Sequence, residues 1–261
     1  MKSAAARPRI LVTNDDGPGA PGVEALIASL KRIGDVTTIT PDRERSAESH
    51  SLTLHKPLRL KRYGEGLYAL NGGPADCVRF AVLEFMGKSG IDIVCSGINR
   101  GYNMGEDIVY SGTVAAAREA ALLRIPSLAF SQDYAWPFHE RSAAFAARLA
   151  RLVIKRGLPR GVFLNVNFPP TNSPYRKAEL VKLGTRIYTH KVTKRSDPRG
   201  GHYYWLVGKA VGGLKTIGTD ILAVSRGSVS VTPLHWNPTA FDCFPNMASW
   251  KFFHEDASSG R

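Results

Sequence analysis

Five short apolar runs, at Arg9–Asn14, Val36–Thr40, Ile91–Ser96, Ser127–Ser131 and Val162–Val166, alternate along the chain with patterns of helical period. This alternation constrains the fold more than any other feature, because strands joined by helical crossovers pair in parallel and bury both faces of one sheet. Between the first two runs, Val23, Leu26, Ile27, Leu30 and Ile33 recur at helical spacing, with Pro21 where a helix start tolerates it and Gly34 just past the end. Comparable helices are expected at Pro74–Met86, Gly112–Leu123 and Glu140–Arg156. The expected class is α/β, a mostly parallel sheet with helices on both faces.

Two segments break the rhythm. Leu58 to Leu70 carries YGEG between β-like flanks and predicts a hairpin. Leu180 to Gly208 carries DPRGG at 197–201 between two further β-like runs and predicts a long basic hairpin arm. A chain of 261 residues with 43% hydrophobic content can form one large domain. The expected layout is a single domain with a core at about 8–170 plus 209–246, the arm at about 176–208, and a polar C-terminal tail at 247–261. An exposed β-arm has edges to cover, so it is expected to pack on another subunit.

In an open parallel sheet, ligands bind outside the carboxyl ends of the strands. The first exit supplies Asn14, Asp15 and Asp16, the second PDRERSAESH at 41–50, and the third SGINRG at 96–101. Adjacent carboxylates repel unless a cation, a proton or solvent relieves them. Taken alone, NDDG also satisfies the chemistry of a solvated turn. Asp15, Asp16, a hydroxyl such as Ser46 and an amide such as Asn99 make an all-oxygen set suited to Mg²⁺, Mn²⁺ or Ca²⁺. Clustered Cys and His of the zinc type are absent from the sequence.

Beyond Asn99, a glycine-punctuated loop opens into VAAAREAALL at 114–123. Backbone amides at that helix start, with Ser111, Gly112 and Thr113, form a phosphate pocket; an ordinary N-cap is the alternative. A phosphate pocket facing a cation describes a phosphohydrolase. Asp15 and Asp16 are the candidates for assisting deprotonation of the attacking water, and Asn14 at the same exit joins the substrate-binding set. His50 could serve the leaving group or simply hydrogen-bond, and Asp76 stands where a helix cap is expected.

Net charge is +13, and Arg151–Gly200 holds twelve Lys or Arg against Glu179 and Asp197. With Tyr188, Tyr203, Tyr204 and Trp205 nearby, this segment supports a second reading, a polyanion- or RNA-binding protein whose arm collects phosphate chains. A third is suggested by Gly17, Gly19 and Gly22, which spell GxGxxG before Asp42, the fingerprint of an NAD(P) oxidoreductase. Against it, Pro18 and Pro21 remove amide donors from that loop, and Asp15 and Asp16 would repel a pyrophosphate. Cys77, Cys95 and Cys243 lack metal or redox spacing and are expected to be reduced and mostly buried. The N-terminal MKSAAARPR has no apolar signal core and no apolar run approaches the ~18 residues of a membrane span, so a cytoplasmic protein is expected.

These pieces, in their order, resemble the SurE family of metal-dependent survival-protein nucleotidases. The matching segments are TNDDG at 13–17 with APG at 20–22, PDRERSAESHSLT at 41–53, GGPADCV at 72–78, DIVCSGINRGYNMG at 92–105, YSGTVAAA at 110–117, DPRG at 197–200 and VTPL at 231–234. The resemblance implies a Rossmann-like core and hydrolysis of nucleoside 5′- and 3′-monophosphates, and in some members of short polyphosphate. It implies one divalent ion per subunit, Mg²⁺ or Mn²⁺, on Asp15, Asp16, Ser46 and Asn99, with Asn103, Ser111, Gly112 and Thr113 around the phosphate. It also implies exchange of the arm and C-terminal segment between subunits. Departures lie at the periphery: GSVS at 227–230 has serine where tyrosine is usual, and HWNP at 235–238 replaces an acidic, threonine-containing continuation.

Overall fold

A computed structural model of the chain describes residues 6–87, 90–137, 139–171 and 174–250. In chain order the elements are β1 (Arg9–Thr13), α1 (Pro21–Leu30), β2 (Asp35–Pro41), β3 (Leu60–Gly64), β4 (Leu67–Leu70), α2 (Pro74–Phe80), β5 (Ile93–Arg100) and α3 (Gly112–Leu122). They continue with β6 (Ser127–Gln132), α4 (His139–Arg156), β7 (Val162–Phe168), β8 (Ala178–Leu180), β9 (Arg186–Ser196), β10 (His202–Gly213), α5 (Asp220–Ser225) and β11 (Val229–His235). The predicted α/β class is the observed one. A 9-stranded sheet has the order β3-β4-β2-β1-β5-β6-β7-β11-β8, while β9 and β10 form a separate two-stranded ribbon.

Strand alternation divides the core between the two faces of the sheet. Ile10 and Val12 pack with Val23, Leu26 and Leu30 of α1 and with Ala143, Ala146 and Ala150 of α4. Leu11, between them in sequence, packs on the other side with Cys77 and Val78 of α2 and Ala116 and Ala120 of α3. The small residues of α3 let it approach the sheet closely, which holds its N-terminus at the rim beside the end of β1.

The departures from a parallel sheet lie at its margins. β3 runs antiparallel to β4, forming the predicted Leu58–Leu70 hairpin, and β11 runs antiparallel to β7. The helix expected over Pro74–Met86 is α-helical only to Phe80 and ends in a wider π turn over Ala81–Phe85. Cys77 and Cys95 are buried as expected, whereas Cys243 is exposed, because it lies in the loosely packed segment after β11. No helix among the described residues is long and apolar enough to cross a membrane. The polar tail expected at 247–261 falls outside the described residues beyond Trp250.

The ribbon is tied to the body at its base. The Arg186 backbone N–H donates to Glu106 Oε2 at 2.7 Å, and its guanidinium to Asp107 Oδ2 at 2.8 Å. Asp220, fully buried, accepts from the N–H groups of Gly105, Gly184 and Ile221 at 2.8–2.9 Å. One carboxylate thus joins the loop after β5, the approach to β9 and the start of α5.

Candidate active site

The exit of β1 is folded tightly by its own side chains. Asn14 is buried and donates from Nδ2 to the Gly17 carbonyl at 2.8 Å. Gly17 sits at φ +89°, with space for a Cβ limited by the Arg43 backbone at 3.2 Å. The neighbouring loop is anchored on the same turn, since the Arg45 N–H donates to the Asp15 carbonyl at 2.8 Å. Asp15 then turns toward α3: Thr113 donates its hydroxyl to Oδ1 at 2.5 Å and its backbone N–H to Oδ2 at 3.2 Å. A Cβ on Gly112 would come 3.0 Å from Asp15 Cβ and 2.9 Å from Pro74 Cγ, so glycine there permits the approach.

Carboxyl groups crowd this turn. Burial pushes the Asp15 carboxyl above its ordinary range, and the two bonds from Thr113 only partly offset it. Asp16 is pushed up to about 6, first by burial, then by the neighbouring Asp15 charge, with Glu44 adding to it. The backbone N–H of Arg100 bonds the Asp16 carboxylate and pulls the other way, which places Asp16 against the end of β5 beside Asn99. Asn99 donates from Nδ2 to the Gly101 carbonyl at 2.8 Å, leaving its amide oxygen on the other side as a hard donor. Ser46 is exposed and donates from Oγ to Glu44 Oε1 at 2.8 Å. Glu44 lies close enough to raise both aspartates, so Ser46 borders the same turn.

These residues suit a divalent cation. Two destabilised carboxylates, a hydroxyl and an amide are hard oxygen donors of the kind Mg²⁺ and Mn²⁺ select. The Asn14 Oδ1 atom, buried in the same turn, has no hydrogen-bond partner, and a polar atom left so in the interior is one that an ion, its water or a substrate would satisfy. Among the described residues no group of three or more His, Cys, Asp and Glu forms, so the donor set is mixed rather than all-acidic or zinc-like.

The helix start offers fewer open amides than its sequence suggests. The Thr113 N–H is bonded to Asp15, and the Val114 N–H to the Ser111 cap hydroxyl at 3.1 Å. A phosphate there would meet the Gly112 N–H and the Ser111 side chain, because the buried Thr113 hydroxyl is already given to Asp15. Asn103 lies in a buried amide cluster behind the rim: its Nδ2 donates to Ser131 Oγ at 2.8 Å, while its carbonyl accepts from Asn165 and Asn167 at 2.8 and 3.0 Å. His50 is held instead by Glu119, at 2.9 Å, which Arg79 also holds at 2.7 Å. Asp76 caps α2 through the Gly73 N–H and braces Thr53.

Sequence reasoning passed over Glu44, Arg100, Asn165 and Asn167. The asparagines did leave a signal, because N-V-N inside an apolar strand puts two amides on one buried face. Beside Asp16 opens a cleft of about 510 Å³, bordered by Glu44, Arg100, Tyr134, Trp136 and His139. Gly22 of the GxGxxG pattern has a packing role: a Cβ there would fall 2.0 Å from the Ile98 carbonyl, so this glycine lets α1 touch β5.

Comparison with known proteins places this geometry in context. The family model described as survival protein SurE matches residues 10–190. A protein of Geobacter metallireducens named 5′-nucleotidase SurE is 46% identical over 254 residues, covering 94% of this chain and 98% of that protein. One of the same name from Caldanaerobacter subterraneus subsp. tengcongensis is 45% identical over 248 residues, covering 93% of this chain and 97% of its own. The crystal structure of the SurE protein from Aquifex aeolicus superposes with a TM-score of 0.83 at 36% identity, covering 95% of this chain and 100% of that one.

Proposed function

The chain belongs to the SurE family and is a 5′-nucleotidase; from that premise we propose a metal-dependent phosphomonoesterase acting on nucleoside 5′- and 3′-monophosphates and on short polyphosphate. The observation that carries this reading is the adjacent carboxylate pair, one member bonded to the start of α3 and the other raised to about 6. One Mg²⁺ or Mn²⁺ per subunit would be held by Asp15, Asp16, Ser46 and Asn99. When bound, such an ion polarises the phosphoryl oxygens and lowers the pKa of a water.

The side chains of the rim supply the rest. Thr113 keeps Asp15 in one orientation, so the ligand set is ordered before substrate arrives. The Gly112 N–H and the Ser111 hydroxyl face the charge that builds on the phosphoryl group, with Asn14 at the polar floor and Asn103 in the buried amide cluster behind it. Asp16 or Asp15 accepts the proton of the attacking water at a carboxylate oxygen. Phosphate release from a panel of 5′- and 3′-nucleotides and tripolyphosphate, after chelation and then with each metal restored, tests the whole reading. Undiminished turnover after chelation, or in Asp16→Asn, would remove the metal mechanism.

A two-stranded ribbon is marginal alone, and β9–β10 exposes Tyr204, Trp205 and Leu206, the last at 88%. This supports a homodimer or homotetramer in which the arm, and the aromatic segment bearing Phe241 and Phe244, pack on another subunit. Cytoplasmic residence completes the reading. The arm also favours polyanion guidance, with Lys194 lying over the Tyr204 ring.

A further inference from the structure

The cleft beside Asp16 has a feature that phosphate hydrolysis does not need. The Arg100 guanidinium lies over the Tyr134 ring, 3.9 Å from its centre, and its Nε donates to the Tyr134 carbonyl at 3.4 Å. The turn bearing Tyr134 is itself fixed, because the Ala135 N–H donates to Asp133 Oδ1 at 2.9 Å and Gln132 Nε2 to the Trp136 carbonyl at 2.7 Å. Tyr134 nonetheless stays 63% exposed. A large aromatic side chain carried on a hydrogen-bonded turn, open to solvent and paired with a guanidinium plane is the construction on which nucleobases stack.

Its position suits a nucleoside as well. Asp15 is bonded to the start of α3, whereas Asp16, the next residue, borders the cleft together with Arg100 and Tyr134. A phosphate at the start of α3 would therefore project its ester group across the pair and into the cleft of about 510 Å³ where Arg100 and Tyr134 stand. Among the described residues no Asn or Gln borders that cleft to read a base edge by paired hydrogen bonds.

We propose that Arg100 and Tyr134 form the base-binding platform of this enzyme, recognising that a nucleobase is present by stacking while tolerating which one it is. The inference rests on the nucleotidase reading and extends it to the leaving group. It is tested with the Mn²⁺-loaded full chain, comparing adenosine 5′-monophosphate with ribose 5-phosphate, which lacks the base. Tyr134→Ala is expected to raise KM for the nucleotide about tenfold, as loss of a stacking partner does, with kcat little changed. KM for ribose 5-phosphate should not move, and Tyr134→Phe should behave as wild type on both substrates. An unchanged nucleotide KM in Tyr134→Ala, or an equal rise for both substrates, would overturn the platform while leaving the nucleotidase intact. A wild-type protein that releases phosphate from neither substrate would overturn the nucleotidase reading itself, and the platform with it.

Discussion

Thr113 holds Asp15 at two points, hydroxyl to Oδ1 at 2.5 Å and N–H to Oδ2 at 3.2 Å, and so joins the exit of β1 to the first turn of α3. Both residues are buried, Thr113 completely, and a carboxylate in that setting depends on its donors. The bond supports the buried carboxylate and fixes its orientation.

Thr113→Val keeps the branched shape and the backbone donor but deletes the hydroxyl. The loss of one hydrogen bond to a buried charge should lower stability by about 1.5–3 kcal/mol. Urea unfolding of the metal-free protein measures it, and Mn²⁺ affinity by calorimetry should fall alongside. An unchanged midpoint and affinity would show that the bond contributes nothing.

Asp16 predicts a pH dependence whose direction follows from burial. Its carboxyl, ordinarily at 3.8, lies at about 6 in the folded protein, so the native state holds this proton more tightly than the unfolded chain does. In metal-free protein the ionised side chain therefore lowers stability at pH 7, and stability returns as pH falls through 6 toward 4. Asp16→Asn should accordingly stabilise the metal-free protein at neutral pH, by about 1–2 kcal/mol once partial solvent screening is allowed for. Cations compete with that proton, so Mn²⁺ affinity should decline as pH drops below about 6. Melting curves and Mn²⁺ titrations from pH 5 to 8 check both; a pH-independent affinity would contradict the shift.

Gly22 is required by a contact rather than by a turn. Its Cβ would meet the Ile98 carbonyl at 2.0 Å, and backbone on both sides cannot yield. Gly22→Ala should cost about 3 kcal/mol or prevent accumulation of folded protein. Gly19→Ala, at φ +79° but with its nearest neighbour 4.0 Å away, should cost only about 1 kcal/mol. Thermal melts of the two variants compare the effects directly, and equal losses would mean that close packing at Gly22 is not the reason for the glycine.

Charge reversal of Lys191, Lys194 and Arg195 on β9 should slow hydrolysis of tripolyphosphate more than that of nucleotides, with the difference shrinking as salt rises. Steady-state kinetics at low and high salt provide the measure. Kinetics equal to wild type on both substrates would end the guiding role of the arm.

Much of the site was legible because its donors lie immediately after strands. Strand exits in an α/β sheet converge by geometry, so N-D-D-G after β1 and S-G-I-N at the end of β5 could be brought together from the sequence. Glu44 and Arg100 were not legible as site residues, since each acts through a position only the folded loops create: Glu44 beside both aspartates, and Arg100 through its backbone N–H on Asp16. The open amides expected at α3 were partly misjudged for the same reason. An N-cap pattern tells that donors are present, but not that Asp15 and Ser111 already occupy two of them.

The sequence by itself determined the alternation of strands and helices, the faces they bury and the order of polar residues at the strand ends, because side-chain period and turn chemistry are local properties. Tertiary structure alone decided which carboxylate is bonded to Thr113 and which is left near pH 6, where Tyr134 stands relative to Arg100, and why Gly22 admits no side chain. Those outcomes depend on distances between segments far apart in the chain, and on the loss of water around charges once the segments meet.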